Sequence, residues 1–237
     1  GYKLKVVVRD TMSRDKVNKL RSLNVDIHFV DTSLPPEHPD SYNNITPRIV
    51  AETPNAFFPD QHENRDNNET HYNTTGPEIW EQMEGKIDYL IAGMGTGGTI
   101  GGAAQFLKEQ DPKIKVVAVD AVGSVYRDYF YSKKIVKAAP YKIEGLGDEF
   151  IIGCADFSNI DKIIQVPDKD AFLTARKLVF TEGLLGGGSS GAAIWAISKH
   201  LETVEKASRI VTLLPDSASR YLSTIFNDQW MSDQGYL

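Results

Sequence analysis

Residues 87–102 read IDYLIAGMGTGGTIGG, and this stretch decides the fold of the chain. It begins with an apolar run, which is typical of a strand buried in a parallel sheet. A glycine-rich turn follows, and residues 103–108 have the composition of a helix. The start of such a helix offers unpaired N–H groups and a positive dipole end to anions. We therefore predict a phosphate site here, with hydroxyl donors from Thr96 and Thr99.

A tight turn with close helix–sheet packing is the alternative interpretation of this loop. We expect it to account for one or two glycines, whereas the loop contains a larger set: Gly95, Gly97, Gly98, Gly101 and Gly102. Glycine lets the backbone approach an anion closely, so the whole set favours the phosphate site.

The composition is that of an ordinary globular protein and argues against several classes. The chain has 237 residues and a net charge of −6 without a basic cluster, which argues against nucleic-acid binding. No apolar run is long enough to span a membrane, and no signal-peptide pattern is present. Cys154 is the single cysteine, so no disulfide can form within the chain, and we expect a cytoplasmic location.

Strand and helix patterns alternate along the chain. Residues 4–8 and 25–30 are predicted strands that flank a helix capped by Ser13, which makes a β-α-β unit. The alternation predicts an α/β fold with a mostly parallel sheet covered on both faces. Further strands are predicted at residues 115–120, 162–166 and 209–214. Further helices are predicted at residues 41–52, 74–83, 168–179, 192–201 and 218–226, with Asp168 as the cap of the third of these helices.

A subdomain boundary is expected near the polar segment 56–68, which we predict to be irregular. It would separate a small first subdomain, residues 1–55, from a larger one, residues 56–237. Residues 123–139 are rich in tyrosine and lysine and are expected to form a surface excursion. Because a strand begins almost at Gly1, we expect the sequence to begin in the middle of a fold.

Two features qualify the choice of ligand. Residues 93–98 fit the G-x-G-x-x-G pattern of dinucleotide sites, and Asp120 ends the next strand at the spacing of a ribose-binding acid. However, a second glycine cluster, residues 186–189, also precedes a helix, which that pattern does not require. Asp120 is either that ribose-binding acid or a strand-end carboxylate that caps a turn, and the second cluster favours the turn. Ser189 is either an ordinary N-cap or a hydroxyl packed against a flat ligand.

No metal site or nucleophile elbow is predicted. The five histidines show no metal-ligand spacing among themselves or with Cys154, and we expect each to be a surface or core residue: His28, His38, His62, His71 and His200.

Several motifs occur in the order found in one enzyme family. They are residues 95–99 as a phosphate loop, Asp60-Gln61 with Asn64 and His71-Tyr72 before it, residues 141–147 as a glycine turn, residues 182–189 with Ser189, and residues 215–217 with Tyr221. In these motifs the chain resembles the cystathionine β-synthase and cysteine synthase family, the fold-type II pyridoxal-phosphate enzymes, over nearly its whole length. Residues 141–145 and the tail at 230–237 are more similar to the cystathionine β-synthase branch.

The resemblance implies a cofactor, a reaction and site residues. The cofactor is pyridoxal 5′-phosphate (PLP), and the reaction joins serine and homocysteine into cystathionine. A homodimer with amino-acid substrates is expected, and no nucleic-acid or membrane partner. The implied cofactor residues are Gly95, Thr96, Gly97, Gly98, Thr99 and Ser189, and the implied substrate residues are Gln61, Gly145 and Gly147.

The chain also departs from the family pattern. The resemblance places the Schiff-base lysine upstream of Gly1, so we expect no catalytic residue within the chain and an incomplete N-terminal part of the core. Arg9-Asp10-Thr11 replaces a proline-containing segment. Two alternatives therefore stay open beside cystathionine β-synthase: a cysteine synthase, or a non-catalytic module with a structural or regulatory role.

Overall fold

The computed structural model of the chain describes residues 1–35, 37–203 and 208–237. These residues form two compact units. The first comprises residues 1–59, 219–235 and Leu237, and the second comprises residues 60–218 and Tyr236. The first unit thus takes in residues from the end of the chain, which local sequence patterns do not indicate. The predicted division into residues 1–55 and 56–237 stays a prediction.

Helices and parallel strands alternate through the described residues, which places the chain in the α/β class, as predicted. The strands are β1 (Lys5–Arg9), β2 (Asp26–Val30), β3 (Tyr89–Gly93), β4 (Lys115–Ala121), β5 (Lys162–Val166) and β6 (Ile210–Val211). The helices are α1 (Arg14–Ser22), α2 (Tyr42–Glu52), α3 (Asp66–Asn73), α4 (Thr75–Gln82), α5 (Gly98–Gln110), α6 (Tyr126–Ser132), α7 (Asp168–Glu182), α8 (Gly188–Leu201) and α9 (Asp228–Asp233). Among them, no helix combines the length and the apolar character needed to cross a membrane.

The first unit contains the predicted β-α-β unit. β1 and β2 pair in parallel, with Val8 opposite Phe29. The hydroxyl of Ser13 accepts a hydrogen bond from the Lys16 N–H at 3.5 Å, which confirms Ser13 as the N-cap of α1.

The end of the chain differs from the helix predicted over residues 218–226. Ala218–Arg220 forms only a short 3₁₀ helix, and α9 starts after Asn227, whose side chain accepts an N–H from its first turn. Between them, the carboxylate of Asp15 accepts both the N–H and the hydroxyl of Ser223, at 2.9 and 2.7 Å. Such side-chain bonds compete with helical hydrogen bonding, which explains why the helical spacing misled the prediction.

The second unit is built on a four-stranded parallel sheet in the order β5-β4-β3-β6. β3 lies between β4 and β6, and its residues Leu90 and Ile91 are fully buried. The glycine loop leaves the sheet after Gly93, at the carboxyl edge, where ligands of open α/β sheets bind. β6 is shorter than the strand predicted over residues 209–214.

α3 begins inside the segment 56–68 that the sequence predicts to be irregular. Its sequence, DNNETHYN, has no apolar stripe, and none of its residues is buried. It is held by polar contacts instead: Nδ2 of Asn68 donates to the carbonyl oxygens of Cys154 at 3.0 Å and Gly97 at 3.4 Å. Hydrophobic periodicity therefore could not reveal this helix.

Each glycine cluster extends into the helix that follows it. α5 begins at Gly98 and α8 at Gly188, four or more residues earlier than predicted. A side chain on Gly191 would overlap the backbone of α7, so a small residue is needed where α7 and α8 pack closely.

The segment 123–139 is more than a surface excursion. Part of this segment forms α6, and Tyr126 at the start of that helix is fully buried. The Tyr126 hydroxyl donates to the carbonyl oxygen of Gly95 at 2.9 Å. Burial raises the pKa of Tyr126 well above its ordinary value, so the hydroxyl remains a neutral donor that supports the glycine loop.

Candidate active site

A cavity of about 350 Å³ lies at the carboxyl edge of the four-stranded sheet. This volume is typical of small-molecule sites. Its walls include most of the residues predicted for cofactor and substrate: Gln61, Gly95, Thr96, Gly97, Thr99, Gly145, Gly147 and Ser189. Gly98 is the exception among them, since it does not line the cavity and lies against the side chain of Asn67.

The loop after β3 directs backbone donors towards the cavity. Gly97 is the N-cap of α5 and has a φ of 87°, a left-handed conformation that favours glycine. The first N–H groups of a helix have no partner within the helix, and the helix dipole adds positive potential at that end. This is the arrangement that the sequence predicts for a phosphate site.

Close packing nevertheless explains more of the glycines than expected. A Cβ atom on Gly95 would lie 2.5 Å from the carbonyl oxygen of Gly145, and one on Gly97 would lie 2.6 Å from that of Cys154. Cβ atoms on the other three would contact α3: Gly98, Gly101 and Gly102. The expectation that packing accounts for only one or two glycines is therefore wrong. Support for an anion site comes from the donors, not from the glycine count.

Side chains of α3 hold two hydroxyl groups of the loop. Nδ2 of Asn67 donates to Oγ1 of Thr96 at 3.1 Å, so the Thr96 hydroxyl keeps its proton for a ligand. Nε2 of His71 lies 3.0 Å from Oγ1 of Thr99, and Nδ1 lies 2.8 Å from Oγ1 of Thr75. Burial lowers the pKa of His71, which favours the neutral ring with one donor and one acceptor nitrogen.

The second glycine cluster brings Ser189 to the same cavity. Gly187 is the N-cap of α8, so the N-cap interpretation of Ser189 is wrong. Ser189 lies in the first turn and is only 6% exposed, yet it lines the cavity. Its neighbour Ser190 is fully buried and does not line it. Two glycine clusters far apart in sequence thus meet at one site.

The glycine turn at residues 145–147 forms another wall. The N–H of Gly147 donates to the carbonyl oxygen of Met94 at 2.8 Å, which fixes the turn against the end of β3. Gly145 has a φ of 81°, and a Cβ atom there would meet no described atom within 4 Å. Glycine is therefore required at this position by backbone conformation, and the open space beside it leaves the main chain accessible to a ligand.

Asp120 is a buried carboxylate behind the glycine turn, outside the cavity lining. It accepts hydrogen bonds from the N–H groups of Ala121 and Arg127, at 2.9 and 3.2 Å, and from Nε2 of Gln165 at 3.2 Å. Burial raises the pKa of Asp120 despite these bonds. Its turn-capping role is confirmed, and its position does not support the ribose-binding role.

Asp168 fixes the segment that leads into the glycine turn. The sequence predicts it as the cap of α7, but Pro167 occupies the N-cap position, so that prediction is wrong. The Asp168 carboxylate instead accepts the N–H groups of Lys142 and Ile143, at 2.9 and 3.1 Å, and the hydroxyl of Tyr236 at 3.2 Å. These bonds tie the approach to the turn to the start of α7.

Two ionisable side chains line the cavity within the described residues, His62 and Asp148, and no lysine does. Sequence patterns mark neither for the site, although His62 follows Gln61 and Asp148 follows the glycine turn. Their position next to these motifs was thus the sequence signal that could have identified them. Within the described part of the chain, no three histidine, cysteine, aspartate or glutamate side chains are grouped to hold a metal ion.

Comparison with known proteins extends these observations. The family described as pyridoxal-phosphate dependent enzyme matches residues 1–216. Cystathionine beta-synthase of Apis mellifera is 40% identical over 237 residues, which is 100% of this chain and 47% of that protein. Cystathionine beta-synthase of Mus musculus is 38% identical over 100% of this chain and 42% of that protein. Cysteine synthase of Buchnera aphidicola is 37% identical over 100% of this chain and 74% of that protein.

The chain thus spans less than half the length of these two cystathionine beta-synthases and more than two thirds of the cysteine synthase. The family match includes the phosphate loop, the glycine turn and Ser189. The chain therefore belongs to the pyridoxal-phosphate dependent enzyme family.

Proposed function

We propose that the protein containing these residues is a cystathionine β-synthase, which uses PLP to join serine and homocysteine into cystathionine with release of water. The observation that carries the proposal is the meeting of the phosphate loop, the glycine turn and Ser189 in one cavity. The names of the honeybee and mouse relatives support it.

The residues of the cavity fit PLP. The N–H groups at the start of α5 and the hydroxyls of Thr96 and Thr99 would hold the phosphate, and both hydroxyls are already oriented by α3. Leu146, Leu213 and Pro215 offer apolar surface that suits the ring. When bound, the cofactor supplies a conjugated ring that withdraws electrons from an amino acid joined to its aldehyde carbon.

Ser189 would face the ring nitrogen. Its hydroxyl is neutral and does not favour a protonated nitrogen as a carboxylate would. The positive end of the α8 dipole acts in the same direction, because Ser189 lies in the first turn. A ring held in this way is a weaker electron sink, which suits elimination and replacement at the β-carbon.

Gln61, Gly145 and Gly147 are the proposed substrate contacts. The amide of Gln61 is exposed and has both donors and an acceptor, so it can bind the carboxylate and ammonium groups of an amino acid. The main chain at Gly145 borders open space, which lets a substrate approach the backbone.

We further propose that residues 1–237 alone bind PLP without turnover, because no lysine lines the cavity within the described residues. Borohydride reduction followed by mass spectrometry tests this. The expected result is no lysine that carries the cofactor and no cystathionine from serine and homocysteine. A stoichiometric adduct on one lysine, together with turnover, would contradict it.

Cysteine synthase is the second candidate, favoured by the larger share of the Buchnera protein that the chain covers. The full-length protein is therefore supplied with serine and homocysteine, or with O-acetylserine and sulfide, and the products are identified by mass spectrometry. Cystathionine supports the first proposal, and cysteine alone supports the second. PLP binding without either product would favour a non-catalytic module. A cytoplasmic homodimer is also proposed from the resemblance, and light scattering checks the dimer.

A further inference from the structure

Asp148 places a carboxylate on the wall of a cavity that otherwise offers neutral donors and apolar surface. Within the described residues, the lining contains neither lysine nor arginine, and His62 is the other ionisable side chain. Asp148 is half-buried. A carboxylate in such a place favours a ligand that brings a positive charge and disfavours one that brings a negative charge.

The orientation of Asp148 is fixed by its neighbours. Its N–H donates to Oγ of Ser124 at 3.2 Å, and its carbonyl oxygen accepts the N–H of Val125 at 3.1 Å. Oδ1 accepts the N–H of Glu149 at 2.7 Å. In the described part of the chain, Oδ2 has no hydrogen-bond donor, so one carboxylate oxygen remains for a ligand.

We propose that Asp148 binds the ammonium group of the second substrate and thereby selects a thiol amino acid over sulfide. This inference rests on the proposed β-replacement and names the substrate class of the same cavity. Hydrosulfide is an anion that the carboxylate repels, whereas the ammonium group of a thiol amino acid forms a charge-assisted hydrogen bond with it. Asp148 is then a specificity residue that takes no part in bond making.

Turnover with three nucleophiles tests the proposal in the full-length holoenzyme at saturating serine. The nucleophiles are homocysteine, 4-mercaptobutanoate, which lacks the ammonium group, and hydrosulfide. Asp148→Asn keeps an acceptor oxygen but removes its charge, and it should raise the KM for homocysteine about tenfold. The KM values for the other two nucleophiles should stay constant or fall.

Equal changes for all three nucleophiles would show that Asp148 only shapes the turn, and would overturn the proposal. Glu149→Gln is the matched control, because Glu149 is the adjacent carboxylate, is exposed and does not line the cavity. This variant should leave the three KM values unchanged.

A binding measurement separates this proposal from the proposed function. NMR titration follows 3-aminopropan-1-ol and 4-hydroxybutanoate, two unreactive isosteres, in the cofactor-free chain saturated with inorganic phosphate. Asp148→Asn should weaken binding of the amine and not that of the acid. The role of Asp148 would be contradicted if the unaltered chain and Asp148→Asn bound the amine equally, or if neither of them bound it. If the holoenzyme turned over none of the nucleophiles, the proposed function would be rejected. The NMR comparison of amine binding would then still decide the role of Asp148.

Discussion

Nε2 of His71 lies 3.0 Å from Oγ1 of Thr99, so a histidine of α3 sets the direction of a hydroxyl at the start of α5. When a phosphate accepts a hydrogen bond from the Thr99 hydroxyl, Nε2 must donate a hydrogen bond to the Thr99 oxygen. Nδ1 must then accept one from the Thr75 hydroxyl, whose oxygen lies 2.8 Å away. Phosphate binding therefore selects one tautomer of a neutral ring.

Replacing His71 with phenylalanine keeps a ring but removes both contacts. We expect the affinity for inorganic phosphate, measured by calorimetry, to fall about three- to tenfold, the net value of one neutral hydrogen bond. Thr70→Val is the matched control, since the Thr70 hydroxyl donates to the carbonyl oxygen of Asp66 within α3. Nitrogen-15 NMR of the unaltered chain should show the Nε2–H tautomer with phosphate bound, and an Nδ1–H tautomer would contradict this.

Replacing Gly97 with aspartate should lower phosphate affinity by well over tenfold, because a carboxylate repels the anion and a charged hydrogen bond is lost. The left-handed backbone at Gly97 and the nearby carbonyl oxygen of Cys154 add strain to this variant. Thr99→Val separates the loss of phosphate contacts from this backbone strain, since it removes one hydroxyl and leaves Gly97 in place. It should cost about tenfold in affinity. Unchanged affinity in both variants would refute the loop assignment.

The order of strand, glycine loop and helix around residues 87–110 could be predicted because apolar runs and glycines are local signals. α3 could not, since Asn68 and His71 position it through polar contacts with residues distant in sequence. The same reason applies to Asp168, whose carboxylate binds the backbone of a segment 25 residues earlier. Long-range pairing of polar groups leaves no periodic pattern in a sequence.

Ser189→Asp in the full-length holoenzyme should protonate the ring nitrogen of PLP, because a carboxylate stabilises the positive charge that a hydroxyl does not. Nitrogen-15 NMR of labelled cofactor measures this directly as a change in the ring nitrogen shift. Ser190→Ala is the control, since Oγ of Ser190 is buried and has no hydrogen-bond partner among the described residues. A ring nitrogen that is unaffected by Ser189→Asp would show that Ser189 does not face it.

His200 should make the stability of the second unit depend on pH. It is 6% exposed and packs edge-on against Tyr89, with ring centroids 4.7 Å apart. Burial lowers the pKa of His200, so the unfolded chain binds the proton first as pH falls below about 6.5. The free energy of unfolding should therefore decrease on acidification, by about 1.4 kcal/mol for each unit by which the folded-state pKa is lowered.

Urea unfolding of this unit between about pH 7.5 and pH 5.5 measures that dependence. His200→Phe should reduce the slope of the free energy of unfolding against pH. The slope that remains should come from His71, whose pKa is also lowered by burial. His28→Phe, in the first unit, is the control and should leave the slope of the second unit unchanged. If His200→Phe showed the same slope as the unaltered chain, His200 would not be a source of the pH dependence.

A crystal structure of the full-length protein with PLP tests most directly whether one cavity binds both ends of the cofactor. We predict that the phosphate lies within hydrogen-bond distance of the N–H groups of residues 97–99 and of Oγ1 of Thr99. The ring nitrogen should lie about 3 Å from Oγ of Ser189. A phosphate bound away from the loop, or a ring nitrogen that faces a group other than Ser189, would contradict the proposed site.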